Sequence, residues 1–464
     1  MLHLYRVAAA LALAVFAPTS KAAEPADWVI RARYVMPMDA AHRVIENGAI
    51  AIRGTRIVGV GAAGDILHGY KATRVVDQPN AILMPGLVDT HTHAAMSLLR
   101  GIADDKRLQD WLEHYIFPAE SRNVSPEFVE WGTKLACLEM SLAGITTFTD
   151  MYYFEETVAE ATRQAGLRGV LGETIIGFPA PDHKTWRDAA AATERYINRF
   201  QHDSLITPAV APHSIYTTPD EALVAAHHIA SRYRVPLLIH LSETKKERDD
   251  SVSLRHMTPT EALSKLGVLD GRVVAAHCVW ESDADLALLK KHSIGVAHCP
   301  TSNMKLASGI ARVTEMLKLG INVGLGTDGF AGSNDSADLI LEMNLGAKLQ
   351  KVAQMDPEVL PAEQVVEMAT MGGARALGMQ EDIGSLEAGK LADFITISLA
   401  NAHSIPLYNV YSQLAYVTKA GDVQDVFVNG RQIVENRHML TLDEKEIYSR
   451  VRLFQQRIRR SLEP

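Results

Sequence analysis

Three cysteines in 464 residues, Cys137, Cys278 and Cys299, are too few and too odd in number to hold a disulfide framework. None lies near the N-terminus, which excludes a lipid-modified terminal cysteine, and Cys278 and Cys299 fall in apolar strands, where they read as packing residues. Charge of one sign is never concentrated. The 46 basic and 55 acidic side chains, a net charge of -9, are dispersed along the chain, so nucleic acid is excluded as a partner and the modest acidic balance reads as solubility. Beyond the N-terminal stretch no apolar run is long enough to look transmembrane. No G-x-G-x-x-G opens a helix, which argues against a doubly wound dinucleotide fold.

With 47% hydrophobic and 22% charged residues the composition is that of an ordinary globular protein, and the length exceeds what one barrel needs. Residues 1–23, MLHLYRVAAALALAVFAPTSKAA, place Arg6 ahead of an apolar run, then Pro18 and small residues. This is the layout of a cleaved export signal, which implies a periplasmic or secreted chain. Over 24–84 short apolar stretches are broken by Gly-containing turns, and the same texture returns over 387–440 in LADFITISL and VQDVFVNGRQIV. The two segments are expected to build one small β-sandwich from both ends of the chain. Residues 85–386 alternate apolar strands with helical stretches, the form of repeated βα units. Eight strand candidates, LMPGLVDTHTH, GITTFTDMY, RGVLGETII, ITPAVAPHS, VPLLIHLSE, RVVAAHCV, IGVAHCPTS and INVGLGTDG, predict an α/β protein with a (β/α)8 TIM barrel. Residues 441–464 carry helical spacing and are expected to pack as a surface helix.

His91 and His93 flank Thr92 at the end of an apolar strand, and alternation turns both imidazoles to one side. His240 follows another apolar run, and Asp328 closes VGLGTDG, where small glycines let backbones approach. Taken singly, each has an ordinary reading: two unrelated surface histidines, a satisfied core histidine, a helix N-cap. Converging on one barrel mouth, three imidazoles and a carboxylate suit one divalent metal, Zn²⁺ first and Fe²⁺ second, rather than Mg²⁺ or Ca²⁺ with their oxygen shells. Glu243, in H-L-S-E, is the general acid/base candidate, against the plain reading of a solvated loop glutamate beside KKERDD. His277, ending the sixth strand, can hydrogen-bond an activated water or a developing oxyanion. Trp111, Leu112 and the segment FPAPDHKTW are candidates for a pocket wall. His227, His228 and His292 fall in helical stretches and read as surface residues, and His298 reads as a residue behind the site.

The run MPGLVDTHTHAAMSLLRGIADD, with WLEHYIFPAE, HLSET, AAHCV, HCPTSNMKLASG and GTDG, resembles the amidohydrolase superfamily, in particular its methylthioadenosine/S-adenosylhomocysteine deaminase branch. The similarity covers nearly the whole mature chain. It implies His91, His93, His240 and Asp328 as metal ligands, Glu243, His277 and Asp328 as catalytic groups, and Glu120 and His213 as substrate contacts, Glu120 on a ribose diol. Binuclear members add a bridging lysine at the fourth strand, where this chain has His213 and no lysine, so one metal is expected. Near the third strand the branch commonly carries an arginine, whereas Glu173 stands here, which disfavours a substrate with a carboxylate at that place. The implied activity is hydrolytic release of ammonia from an aminated N-heterocycle, adenosine-like or S-adenosylhomocysteine-like, another purine or a pterin. The alternatives are hydrolysis of a ring C–Cl or cyclic amide bond, and an exported ligand-binding barrel without turnover. The partner is then a small heterocycle, and a homo-oligomer is compatible with this reading.

Overall fold

The computed structural model describes residues 23–462, so the expected export signal, apart from Ala23, lies outside the described residues. The chain opens with strands β1 (Glu24–Val35), β2 (Ile45–Arg53), β3 (Arg56–Ala62) and β4 (Tyr70–Pro85). Eight parallel strands follow: β5 (Leu87–His93), β6 (Ile145–Tyr152), β7 (Arg168–Ile175), β8 (Ile206–Pro212), β9 (Leu237–Leu241), β10 (Val273–His277), β11 (Gly295–His298) and β12 (Asn322–Leu325). All eight sequence candidates form strands. A two-residue strand, β13 (Asp328–Gly329), comes next, and β14 (Phe394–Ser398), β15 (Val423–Val428), β16 (Arg431–Glu435) and β17 (His438–Met439) complete the set.

Each barrel strand hydrogen-bonds to the next, and β5 closes the ring by pairing with β12 at Leu325 and with β13 at Asp328 and Gly329. β6 and β7 are buried along their whole length, as expected of parallel strands lined inside by side chains and covered outside by helices. The interior is filled by Val88, Met151, Val170, Ala209, Ala211, Leu238, Val274, Ala276 and Ala297, with Met371, Ala374 and Leu377 from the segment after the barrel packed against them. This is a packed core and not a pore.

The remaining strands form one sheet in the order β17-β16-β15-β14-β4-β1-β2-β3. Trp28 on β1 and Phe427 on β15 stand three strand spacings apart, about 14 Å if the sheet were flat. Their rings nevertheless meet edge to face at 5.4 Å. The sheet therefore folds onto itself as a small sandwich, with Ile30, Ile50, Ile52, Ile57, Leu83, Phe394 and Phe427 inside it. The helix Glu444–Leu462 buries Ile447, Phe454 and Ile458, and Phe454 meets Phe128 of the helix Pro126–Leu142 at 6.0 Å. Among the described residues no helix is long and apolar enough to cross a membrane.

The sandwich is tied to the barrel at the entry end of the strands. Arg168, the first residue of β7, donates from Nε to Asp393 Oδ2 at 2.8 Å and from Nη2 to Oδ1 at 3.3 Å, and both side chains are buried. Asp393 also accepts the Asn429 N–H at 2.6 Å, next to β15. Removing the guanidinium strands a buried carboxylate, so Arg168→Ala is expected to cost about 3–5 kcal/mol of stability. Urea unfolding measures it, and an unchanged midpoint with an unchanged slope would show that the pair holds nothing together.

Candidate metal centre and active site

The sequence motifs meet at the exit end of the barrel. Val88 faces the interior, so strict alternation would send Thr90 and Thr92 inward. A register shift between Asp89 and Thr92 resets the pattern, and His91 and His93 reach the mouth instead. A Cβ on Gly326 would fall 3.0 Å from His91 Cβ and 2.9 Å from Cys299 Sγ, so only glycine lets the strand carrying Asp328 pass this close. His91 Nε2 and His93 Nε2 each lie 3.4 Å from Asp328 Oδ1, and His240 Nε2 lies 3.3 Å from His93 Nε2. Four ligands held tetrahedrally about 2.05 Å from a zinc-sized ion are spaced about 3.3 Å apart.

The far nitrogens of two of these rings are engaged as donors. His93 Nδ1 lies 2.7 Å from the Met151 carbonyl and His240 Nδ1 lies 2.8 Å from the His213 carbonyl, and each must donate there because a carbonyl only accepts. Burial drives His91 down to about 4 and His240 well below its ordinary value, so these rings are neutral. The facing Nε2 atoms of His93 and His240, 3.3 Å apart with their Nδ1 atoms engaged elsewhere, are both turned toward the place a shared cation would occupy. His91 Nε2 is buried without a hydrogen-bond partner. The donor set fits one divalent ion bound by three nitrogens and a carboxylate.

Around this quartet stand residues that sequence reading did not single out. Asp89 accepts the Thr327 N–H at 3.0 Å and its hydroxyl at 2.6 Å, fixing the residue before Asp328. Asp150 accepts Ala94 N–H at 2.6 Å and the Thr92 hydroxyl at 2.7 Å, holding the turn just after His93. Asn303 Oδ1 accepts from His277 Nδ1 at 3.1 Å, which leaves His277 Nε2 facing Glu243 Oε2 and Asp328 Oδ2, each at 3.9 Å. Glu247, within the charged run KKERDD, is buried and accepts the N–H groups of Ser242 at 3.0 Å and Glu243 at 2.8 Å. Its signal was present: Thr244 caps the next helix by accepting the Glu247 N–H at 3.1 Å, a T-x-x-E start. Ser242, His277 and Asp328 all adopt left-handed backbone, at φ 50°, 72° and 66°. Such conformations persist where surrounding bonds enforce them, and they cluster at functional sites.

Above the quartet opens a cleft lined by Trp111, Glu120, His213, Glu243, His277 and Asp328 together with His93 and His240. One wall is a single helical stretch with a π turn at Leu112–Ile116, which turns Leu108, Trp111, Leu112, Ile116, Phe117 and Glu120 toward the cleft. Glu243 is buried, so the solvated-loop reading does not hold. Burial, reinforced by the charge of Asp328, raises its carboxyl well above the usual range. Glu120 accepts the Tyr152 hydroxyl at 2.6 Å, and burial pushes it up to about 8. The His213 ring tilts against His240 at 4.7 Å and is neutral, burial lowering it to about 3.

Three expectations are corrected. Glu173 does not stand in the cleft: alternation along β7 turns it outward, where it accepts the Glu155 N–H at 2.9 Å, and Thr174 faces the cleft instead. The segment FPAPDHKTW does not line the cleft; Phe178 packs on Phe117 at 5.3 Å, and His183 sits beside Glu173 on the outside. Cys278 and Cys299 are buried packing residues as expected, but each lies one position past its strand. Truncating Glu247 frees the turn that aims Glu243. Glu247→Ala is therefore expected to lower kcat about 10–100-fold with metal content unchanged, measured by turnover beside metal analysis; loss of the metal, or full turnover, would contradict this positioning role.

The sequence profile of the amidohydrolase family matches residues 82–433. A relative from Syntrophus aciditrophicus (strain SB), named 5-methylthioadenosine/S-adenosylhomocysteine deaminase 1, is 45% identical over 439 residues, 95% of this chain and 99% of its own. Another, from Thermodesulfovibrio yellowstonii (strain ATCC 51303 / DSM 11347 / YP87) and named 5-methylthioadenosine/S-adenosylhomocysteine deaminase, is 42% identical over 436 residues, 94% of this chain and 99% of its own. Among solved structures, an adenosine deaminase from Xanthomonas campestris with bound zinc superposes with a TM-score of 0.92 at 36% identity, over 94% of this chain and all 100% of that one. A profile spanning most of the chain, and relatives this similar over nearly their full length, place the protein in the amidohydrolase family.

Proposed function

We propose that this chain is a metal-dependent hydrolytic deaminase that releases ammonia from an aminated N-heterocycle of the adenosine kind. The observation that carries the reading is Glu243, a buried carboxyl in the cleft beside a three-histidine, one-aspartate quartet. A binding barrel has no use for such a proton donor. The deaminase names of the relatives support the same reaction class.

In this reading His91, His93, His240 and Asp328 hold one divalent ion, with zinc favoured by the nitrogen-rich donor set and by the zinc in the structural relative. When bound, the ion acidifies water and so supplies a nucleophile at neutral pH. Glu243, kept protonated by burial, delivers its proton to the ring nitrogen next to the amino-bearing carbon, making that carbon electrophilic. His277, whose Nδ1 donates to Asn303, turns Nε2 toward Glu243 and Asp328 and orients the attacking water. Asp328 takes up the released proton at Oδ2, the oxygen that faces His277, and returns it to the departing amino group. Glu120, steadied by Tyr152, is placed to accept hydroxyl groups of a sugar.

Glu243→Gln keeps the shape and removes the proton. It is expected to retain the metal and to lower kcat about 10²–10⁴-fold in an ammonia-release assay on adenosine; a variant with metal bound and full turnover would remove this mechanism. Chelation should abolish ammonia release, and one equivalent of zinc per chain should restore it. A requirement for two equivalents would contradict a single-ion site.

A further inference from the structure

We infer that the cleft selects nucleosides whose 5′ end is uncharged and discriminates against those carrying an amino-acid tail, an inference that rests on the deaminase reading above. The observation is one of composition. The cleft contains the acidic side chains Glu120, Glu243 and Asp328, and none of its lining residues is lysine or arginine.

The cations nearest in sequence to the cleft lining are committed elsewhere or face solvent. Lys305 precedes Leu306, which lines the cleft, but its ammonium donates to Asp104 at 2.6 Å and to Asp335. Lys106 lies over the Tyr115 ring at 5.2 Å, and Arg107 is exposed at the start of the wall helix. His213 has its Nδ1 engaged by the Thr217 hydroxyl at 2.9 Å and its ring against His240.

The wall itself is apolar: Leu108, Trp111, Leu112, Ile116, Phe117 and Leu306. A carboxylate brought against it would lose water without gaining a cation. A methylthio group loses little on the same transfer and gains contact with the indole of Trp111. The two compounds that share the relatives' names are thus unequal in this cleft. They carry the same base and ribose, so the difference lies wholly in the tail.

The test is ammonia release by the zinc-loaded full-length enzyme from adenosine, 5′-methylthioadenosine, S-adenosylhomocysteine and 5′-butylthio-5′-deoxyadenosine, whose tail is long but uncharged. Methylthioadenosine and the butylthio compound are expected to exceed S-adenosylhomocysteine in kcat/KM by about 100-fold or more, the usual scale for a desolvated charge left without its partner. S-adenosylhomocysteine within about tenfold of methylthioadenosine would overturn the inference while leaving the deaminase reading intact. A butylthio compound as poor as S-adenosylhomocysteine would overturn it too, by making length and not charge the cause. No ammonia from any of the four would sink the deaminase reading and this inference with it.

Discussion

Two imidazole nitrogens from different strands face each other 3.3 Å apart at the mouth of the barrel, and the rest of the site is arranged around that meeting. Each ring donates on its far side to a carbonyl, of Met151 and of His213. Those carbonyls belong to the neighbouring strand β6 and to the residue just past β8, so the ring orientations are set by the barrel backbone itself. A divalent ion between the two nitrogens would be bound by both. Asp328 brings the balancing negative charge within 3.4 Å of two of the rings.

The fold turns this arrangement into a reaction site by bringing side chains from the ends of several strands together, His91 and His93 from the same one. The register shift in β5 re-aims the first pair, a left-handed backbone tips His277 and Asp328 inward, and Glu247 pins the turn that presents Glu243. One wall of the cleft above is a helical stretch that holds none of the quartet, so its chemical character can change without touching the quartet. Reaction and selectivity are housed in separate parts of the same barrel mouth, the first on rigid strand ends and the second on the segment that covers them.

Much of this was legible in the residues. The eight strands could be read because parallel barrel strands, buried on both faces, appear as continuous apolar runs, and the H-x-H and GTDG motifs stood at their ends. The family resemblance added Glu120 and His213, which the structure places in the cleft. The supporting shell was not legible for physical reasons. Asp89 and Asp150 lie within strands where an acid looks like an exception, Asn303 contacts His277 across 26 positions of sequence, and Glu247 is disguised by a run of charged neighbours. Glu173 was placed on the wrong side because alternation is unforgiving: a slip of one residue exchanges the cleft for the outer face. The folding of the eight-stranded sheet onto itself is a matter of long-range closure, and only the contact of Trp28 with Phe427 reveals it.

The pairing of β13 with β5 gives the quartet a second meaning. His91 and His93 belong to the first strand of the ring and Asp328 to its last, so the residues that converge on one ion also straddle the seam where the cylinder closes. An ion shared across that seam acts as a rivet as well as a reagent. Whatever binds the closed ring and not the open chain favours closure, so affinity for the ion and resistance to unfolding are two readings of a single equilibrium.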